Sequence, residues 1–264
     1  VKDEEANLPA CLDSVQGLTG EVVIVDTGSS DRTVEIAKSY GAKVVSFPWV
    51  DHFAAARNVS VEHATGDWIF WMDADDRLDE ANREKLKELF ANLGNENVAY
   101  DMKCLCLADP ISRTETVVDH IRLFRRHPKI RWEYRVHEQI LPSVRRLGGE
   151  VRWSDVTIQH TGYQDPALRR KKLERDLRLL EIDRTEHPDE PFILFNLGSI
   201  QQELGQHEEA LEAIERSLAR SNPADSIVRK LSKLWLFVSR DVRSWGMILS
   251  FSFSEGRFKE VVAT

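Results

Sequence analysis

Residues 68–76 read WIFWMDADD: five mostly apolar residues, Trp68 to Met72, run into three carboxylates, Asp73, Asp75 and Asp76. An apolar run of that length, bounded by Gly66-Asp67 and by the acids, predicts a buried strand. Parallel strands of α/β sheets present ligand groups at their carboxyl ends, which is where these acids fall. Asp73 and Asp75 are hard oxygen donors two positions apart, suited to a divalent metal that also holds substrate phosphates. A charged turn leading into a helix capped by Asp79 fits the same residues, since Asp-rich turns are common. The neighbouring segments weigh between the two.

Upstream, residues 21–25 (EVVIV) form a second apolar strand that ends on Asp26. The small-residue turn TGSSD follows, then a helix over 32–40 that Ser30 or Asp31 can cap and Gly41 stops. A strand at 43–47 and a helix over 54–64 lead back to the opening stretch. Before them, residues 7–15 read as a short helix with Pro9 in its first turn. Downstream, Asp79 caps a helix with Leu86, Leu89, Phe90 and Leu93 on one face. Strand and helix therefore alternate, which predicts a parallel sheet with helices on both faces. Residues 98–107 alternate with period two, and strand-like runs follow near 121–124 and 151–159, so the pattern drifts toward a mixed sheet. Such a domain normally opens with an apolar strand before a segment like KDEE. That strand is expected to be missing, with Val1 as its last residue.

The 264 residues suffice for one large or two smaller domains, and 30% charged with 42% apolar residues describes an ordinary folded protein. A net charge of −8 argues against a general nucleic-acid binder. Cys11, Cys104 and Cys106 are odd in number and form no CxxC pair. They predict a reducing, cytoplasmic setting and neither a disulfide framework nor a zinc site. Cys104 and Cys106 read as small core-facing residues of a strand. No signal peptide is visible, and no apolar run approaches the roughly 18 residues of a membrane span.

Composition shifts at Asp165-Pro166, an N-cap followed by a first-turn proline. A charged helix then runs to about Glu186, where His187-Pro188 breaks it. The predicted division is an α/β domain over 1–164 and a helical region over 165–264. In the latter, residues 191–204 and 208–220 form a helix pair around Gly205. Leu194, Leu197, Gly198, Gly205 and Ala210 fall at tetratricopeptide-repeat spacing, and Pro223 lies one place from the expected terminal proline. GRFKEVV at Gly256 echoes GQHEEAL at Gly205 as a second, irregular hit. A single repeat cannot bury its own face, so it should stack on neighbouring helices.

With these elements in hand, the first half resembles a family 2 glycosyltransferase of the GT-A fold. The resemblance rests on KDEEANL at Lys2, VIVDTGSSDRT from Val23, AARN ending at Asn58 and TGDWIFWMDADD from Thr65, and covers roughly residues 1–163. Members with a tetratricopeptide-like tail are similar beyond that point. It implies inverting transfer of a sugar from a nucleotide-diphosphate donor, by family default a UDP-sugar. The acceptor implied is a lipopolysaccharide sugar, another glycan or a peptide. A divalent cation, Mn²⁺ or Mg²⁺, bridging the two phosphates would stabilise the charge that builds on the leaving group.

The resemblance also implies roles. Asp75 would ligate the metal, Asp73 would reach ribose or metal, and Asp76 would be a bystander or a sugar contact. Asp26 would sit near the base or ribose, against a local role in shaping its turn. Arg57 would face the nucleotide, and Lys2 and Glu4 would line the base pocket. Inversion needs a base opposite the leaving group. Glu138 in RWEYRVHEQI is the best match, and Val136 and Ile140 beside it would partly bury it and raise its pKa. Glu133 and Asp119 compete. His160 resembles a late histidine ligand and suits Mn²⁺ better than Mg²⁺. His137 would orient Glu138 or a phosphate, while Trp49 and Trp132 could stack on a sugar. Two alternatives stand beside the transferase. One is an inactive sugar-nucleotide fold serving as an adaptor that binds a protein partner through its helical tail. The other is a nucleotidyltransferase, disfavoured by the lack of a Gly-rich phosphate loop.

Overall fold

The computed structural model describes residues 1–107, 115–162, 166–222, 226–243, 249–254 and 257–262. The expected cap Asp165, the proline at 223 and Gly256 lie outside the described residues. The chain divides into two compact units, Val1–Arg169 and Arg170–Thr264.

In the first unit, α1 (Leu8–Val15), β1 (Val23–Asp26), α2 (Thr33–Ser39), β2 (Lys43–Ser46) and α3 (Phe53–His63) alternate as their patterns predict. β1 and β2 pair in parallel, with Val23 opposite Lys43 and Asp26 opposite Ser46. Beside β1, the Val1 carbonyl accepts from Thr27 N at 2.9 Å. Then come β3 (Trp68–Phe70), β4 (Asp76–Arg77), α4 (Glu80–Ala91), β5 (Val98–Cys106), β6 (Thr116–Arg125), α5 (Leu141–Arg146) and β7 (Glu150–His160). Asp79 caps α4 by accepting from Asn82 N at 2.8 Å.

The larger sheet runs β3-β6-β5-β7-β4. β5 pairs in parallel with β7 and antiparallel with β6, so the sheet is mixed. The opening stretch differs from its reading as one long buried parallel strand. Its ladder ends at Phe70, its sheet neighbour β6 is antiparallel, and Trp68, Ile69 and Phe70 are half-buried. Trp71 still donates its N–H to Arg122 O at 3.0 Å, after which the chain turns at the acids.

Period-two alternation sends β5 side chains to both faces. Ala99 joins Ala54, Val61, Ile121, Phe124, Ile130, Trp132 and Val144 under α3 and α5. Val98, Tyr100 and Met102 join Leu86, Leu123, Val156 and Ile158 under α4. Helices thus cover both faces. Cys104 is buried and Cys106 half-buried, and all three cysteines are free.

α6 (Pro166–Glu186) leads into the second unit, which holds α7 (Pro191–Glu203), α8 (His207–Arg220), α9 (Ser226–Arg243), β8 (Leu249–Ser254) and β9 (Arg257–Val262). Gly205 turns α7 into α8 at φ +79°, a conformation glycine adopts freely. α9 packs on α8 through Leu231, Trp235 and Val238 against Ala210 and Ile214. The reading of residues 165–264 as wholly helical is corrected: residues 257–262, the irregular echo of the repeat, are a strand paired antiparallel with β8. Its alternation RFKEVV suits a two-residue period as well as a helical one. No helix of the described residues is long and apolar enough to cross a membrane.

Candidate active site

The turn after Trp71 closes on itself. Asp76 N donates to Asp73 O at 3.0 Å, and Asp73 N donates to Asp76 Oδ2 at 2.7 Å. The end of β7 is clipped beside it: Asp76 stands opposite His160, and Thr161 donates its N–H and Oγ1 to Asp75 O at 3.0 and 2.9 Å. Ligand atoms of Asp73, Asp75, Asp76 and His160 consequently lie within 4.8 Å of one another.

Three carboxylates at that separation repel one another, and the surroundings sort them. Asp76 is buried against the guanidinium of Arg122, whose Nη1 donates to Oδ2 at 2.6 Å. Burial disfavours ionised Asp73, yet the charges of Arg57 and Arg122 outweigh it and hold that carboxyl well below the usual range. Burial pushes Asp75 up, and the charges of Asp73 and Asp76 add to the rise while His160 opposes it. Burial would lower His160, but the hydrogen bond to Asp76 and the charges of Asp75, Asp76 and Asp73 raise it above its ordinary value. The cluster is short of positive charge at Asp75.

The donor set fits a divalent metal. His160 Nδ1 lies 3.0 Å from Asp76 Oδ1 and 3.5 Å from Asp75 Oδ1, so the acids hold the ring by that nitrogen. A Cβ on Gly162 would stand 1.9 Å from Asp75 Oδ2 and 3.0 Å from His160 Nε2. A side chain at 162 would crowd both atoms, and glycine avoids that. Carboxylate oxygens with an imidazole nitrogen are a donor set for a divalent metal ion.

Arg57 joins a second carboxylate to this cluster. From α3 its Nη2 donates to Asp73 Oδ1 at 2.8 Å and its Nε donates to Glu138 Oε1. Glu138 is partly buried, as expected beside the buried Val136 and Ile140, and its carboxylate faces this guanidinium. The segment around it is pinned by Asn58, which donates from Nδ2 to Trp132 O at 3.0 Å and accepts from Trp132 N at 2.8 Å. Tyr134 and His137 take φ of 71° and 53°, and the His137 carbonyl accepts from Gln139 Nε2 at 3.1 Å. Glu133 pairs with Arg146, and Asp119 lies exposed on β6.

Asp26, buried at the end of β1, accepts from Gly28 N at 3.2 Å and Ser29 N at 3.1 Å, and so shapes its turn. Glu4 accepts from Asn7 Nδ2 at 3.0 Å ahead of α1, and Lys2 is exposed. Of the two tryptophans, candidates for a sugar face or for the core, both pack on aromatic neighbours. Trp132 is buried edge-to-face against Trp71, with ring centroids 5.0 Å apart, and Trp49 packs on Phe53 at 4.7 Å. Asp76 is no bystander, since both its oxygens are engaged. Arg122 and Trp71 were missed, although an arginine inside the apolar run IRLF of β6 signals a buried acid partner.

A mixed sheet covered by helices on both faces, with carboxylates and an imidazole meeting at the ends of β4 and β7, is the GT-A arrangement. The crystal structure of S. aureus TarS 1–349 in complex with UDP-GlcNAc shares this fold: TM-score 0.52 at 14% identity, covering 99% of this chain and 94% of that one. Residues 1–104 match the model of Glycosyl transferase family 2. A TPR repeat-containing protein of Synechococcus elongatus is 32% identical over 240 residues, 86% of this chain and 57% of that one. Glycosyltransferase SunS of Bacillus subtilis is 28% identical over 224 residues, 83% of this chain and 51% of that one. The chain spans about half the length of these two relatives.

Proposed function

We propose that the protein transfers a sugar, with inversion, from a nucleotide-diphosphate donor to a glycan, lipopolysaccharide or peptide acceptor. The observation that carries this reading is the guanidinium of Arg57, bonded both to Glu138 and to Asp73 of the metal-fitting cluster. The assigned parts are residues 1–164 as the transferase domain and residues 165–264 as the helical region. UDP-sugars are the first donors to test, because TarS holds UDP-GlcNAc in the same fold. Free cysteines suit a cytoplasmic setting.

Asp75 and His160 would hold a divalent cation, with Asp73 beside them; Mn²⁺ suits the imidazole best. When bound, the cation supplies positive charge next to the departing diphosphate. Asp76 keeps His160 oriented. Arg57 fixes Glu138, whose carboxylate takes the proton of the attacking acceptor hydroxyl. Asp26, Lys2 and Glu4 gather around the start of the chain and are assigned to the nucleoside.

A second reading has the helix pair α7–α8 binding a protein partner while the α/β unit only holds nucleotide, as the TPR-named relative suggests. A panel of nucleotide sugars incubated with Mn²⁺ and assayed for nucleotide release separates the two. The transferase should release nucleotide from one donor class. Glu138→Gln should then lower turnover by about 10²-fold or more with UDP binding retained. Near-normal turnover in that variant would remove Glu138 from the role of base. No release with any donor would favour the adaptor.

A further inference from the structure

Arg122 and Asp76 form an ion pair with side-chain exposures of 2% and 0%. Such burial costs several kcal/mol per ion, and apolar side chains of similar volume often serve stability as well or better. What the pair offers here is placement. Asp76 Oδ2 accepts from Arg122 Nη1 at 2.6 Å and from Asp73 N at 2.7 Å, while Oδ1 faces His160 Nδ1 at 3.0 Å. Arg122 is itself fixed. Its guanidinium carbon lies 3.8 Å from the centroid of the Trp71 ring, and its Nη2 reaches Cys104 Sγ at 3.4 Å. Trp71 is anchored in turn by donating from Nε1 to Ile121 O at 2.6 Å. The contacts run from β6 through Trp71 and β5 to the acidic turn and the end of β7.

We propose that Arg122 is a positioning residue for the metal site. It locks the Asp76 carboxylate in the one orientation that both closes the Asp73–Asp76 turn and holds His160 by Nδ1, which aims Nε2 at the space beside Asp75 Oδ2. The inference rests on the reading of Asp75 and His160 as the metal-holding pair. Without the guanidinium, Asp76 keeps Asp73 N and His160 as partners but loses the strongest constraint on its rotation, and the imidazole loses its fixed aim.

The test is Mn²⁺ binding to the full chain without donor, read by titration and by the nitrogen coupling of a ligating imidazole in pulsed EPR. Wild type should show the coupling and His160→Ala should lose it. Arg122→Met should bind Mn²⁺ about 10-fold or more weakly with the coupling lost. Arg122→Lys keeps the charge but cannot span Asp76 and Cys104 together. It should fall between wild type and Arg122→Met, and it decides the matter if the Met variant does not fold. A purely structural arginine would lower Tm in both variants and leave affinity and coupling unchanged; that result overturns the proposal while the metal reading stands. Absence of nitrogen coupling in wild type would overturn the metal reading and this inference together.

Discussion

A methyl group on residue 162 would stand 1.9 Å from Asp75 Oδ2, the end of a side chain that can rotate away. The cost of such a change therefore falls on the position of Asp75 rather than on the fold. Gly162→Ala should weaken Mn²⁺ binding about 10-fold or more while Tm stays within a few degrees of wild type; unchanged Mn²⁺ affinity would refute the shared space of Asp75 and His160. At this scale the spacing of Asp73 and Asp75 fitted a metal or a charged turn alike, and the neighbouring segments had to weigh between them. Asp76 was not legible, since its importance lies in the partners at 122 and 160, which no local pattern reveals. Only its segment marks Glu138 in the sequence, and the guanidinium it faces comes from α3, 81 positions earlier.

Along β5, Asp101 sits among buried neighbours, and its Oδ1 has no hydrogen-bond partner. Burial, with the charge of Asp119 added, pushes its carboxyl up to about 6. The folded chain then binds more protons than the unfolded one between the ordinary value of 3.8 and about 6. Stability therefore falls as pH rises through that window. Asp101→Asn should flatten the fall and raise Tm by roughly 2 °C above pH 7, after allowance for solvent screening, with little difference near pH 4. Parallel Tm profiles for the two proteins would refute it. In the helix pair, a Cβ on Gly198 would meet Ile214 Cγ1 at 2.6 Å and Ala210 O at 3.1 Å. Alanine normally favours a helix by about 1 kcal/mol over glycine, yet overpacking costs typically 1–3 kcal/mol. Gly198→Ala should thus lower stability in urea unfolding, and a more stable variant would refute the close packing of α7 on α8. That pair was legible from the spacing of its small residues. The strand at 257–262 was not legible, because six residues fit a helix and a strand equally well.

For the molecule as a whole, the prediction is a thermal shift. UDP and Mn²⁺ together should raise Tm more than the sum of their separate effects, since a ligand at 100 times its Kd adds about 2.7 kcal/mol. Asp75→Asn should abolish the cooperative part, and an additive response would count against a joint site. The sequence by itself determined the alternation of elements, the helices on both faces and the acids at the turn. These follow from the 3.6 and 2 residue periods and from turn chemistry, which act between near neighbours. Tertiary structure alone decided which strands pair and which charges meet: β3 against β6, Arg57 between Asp73 and Glu138, Arg122 beneath Asp76. Those contacts join residues 16 to 81 positions apart. Burial selects them because an ion taken from water needs its partner at hydrogen-bonding distance, wherever in the chain that partner lies.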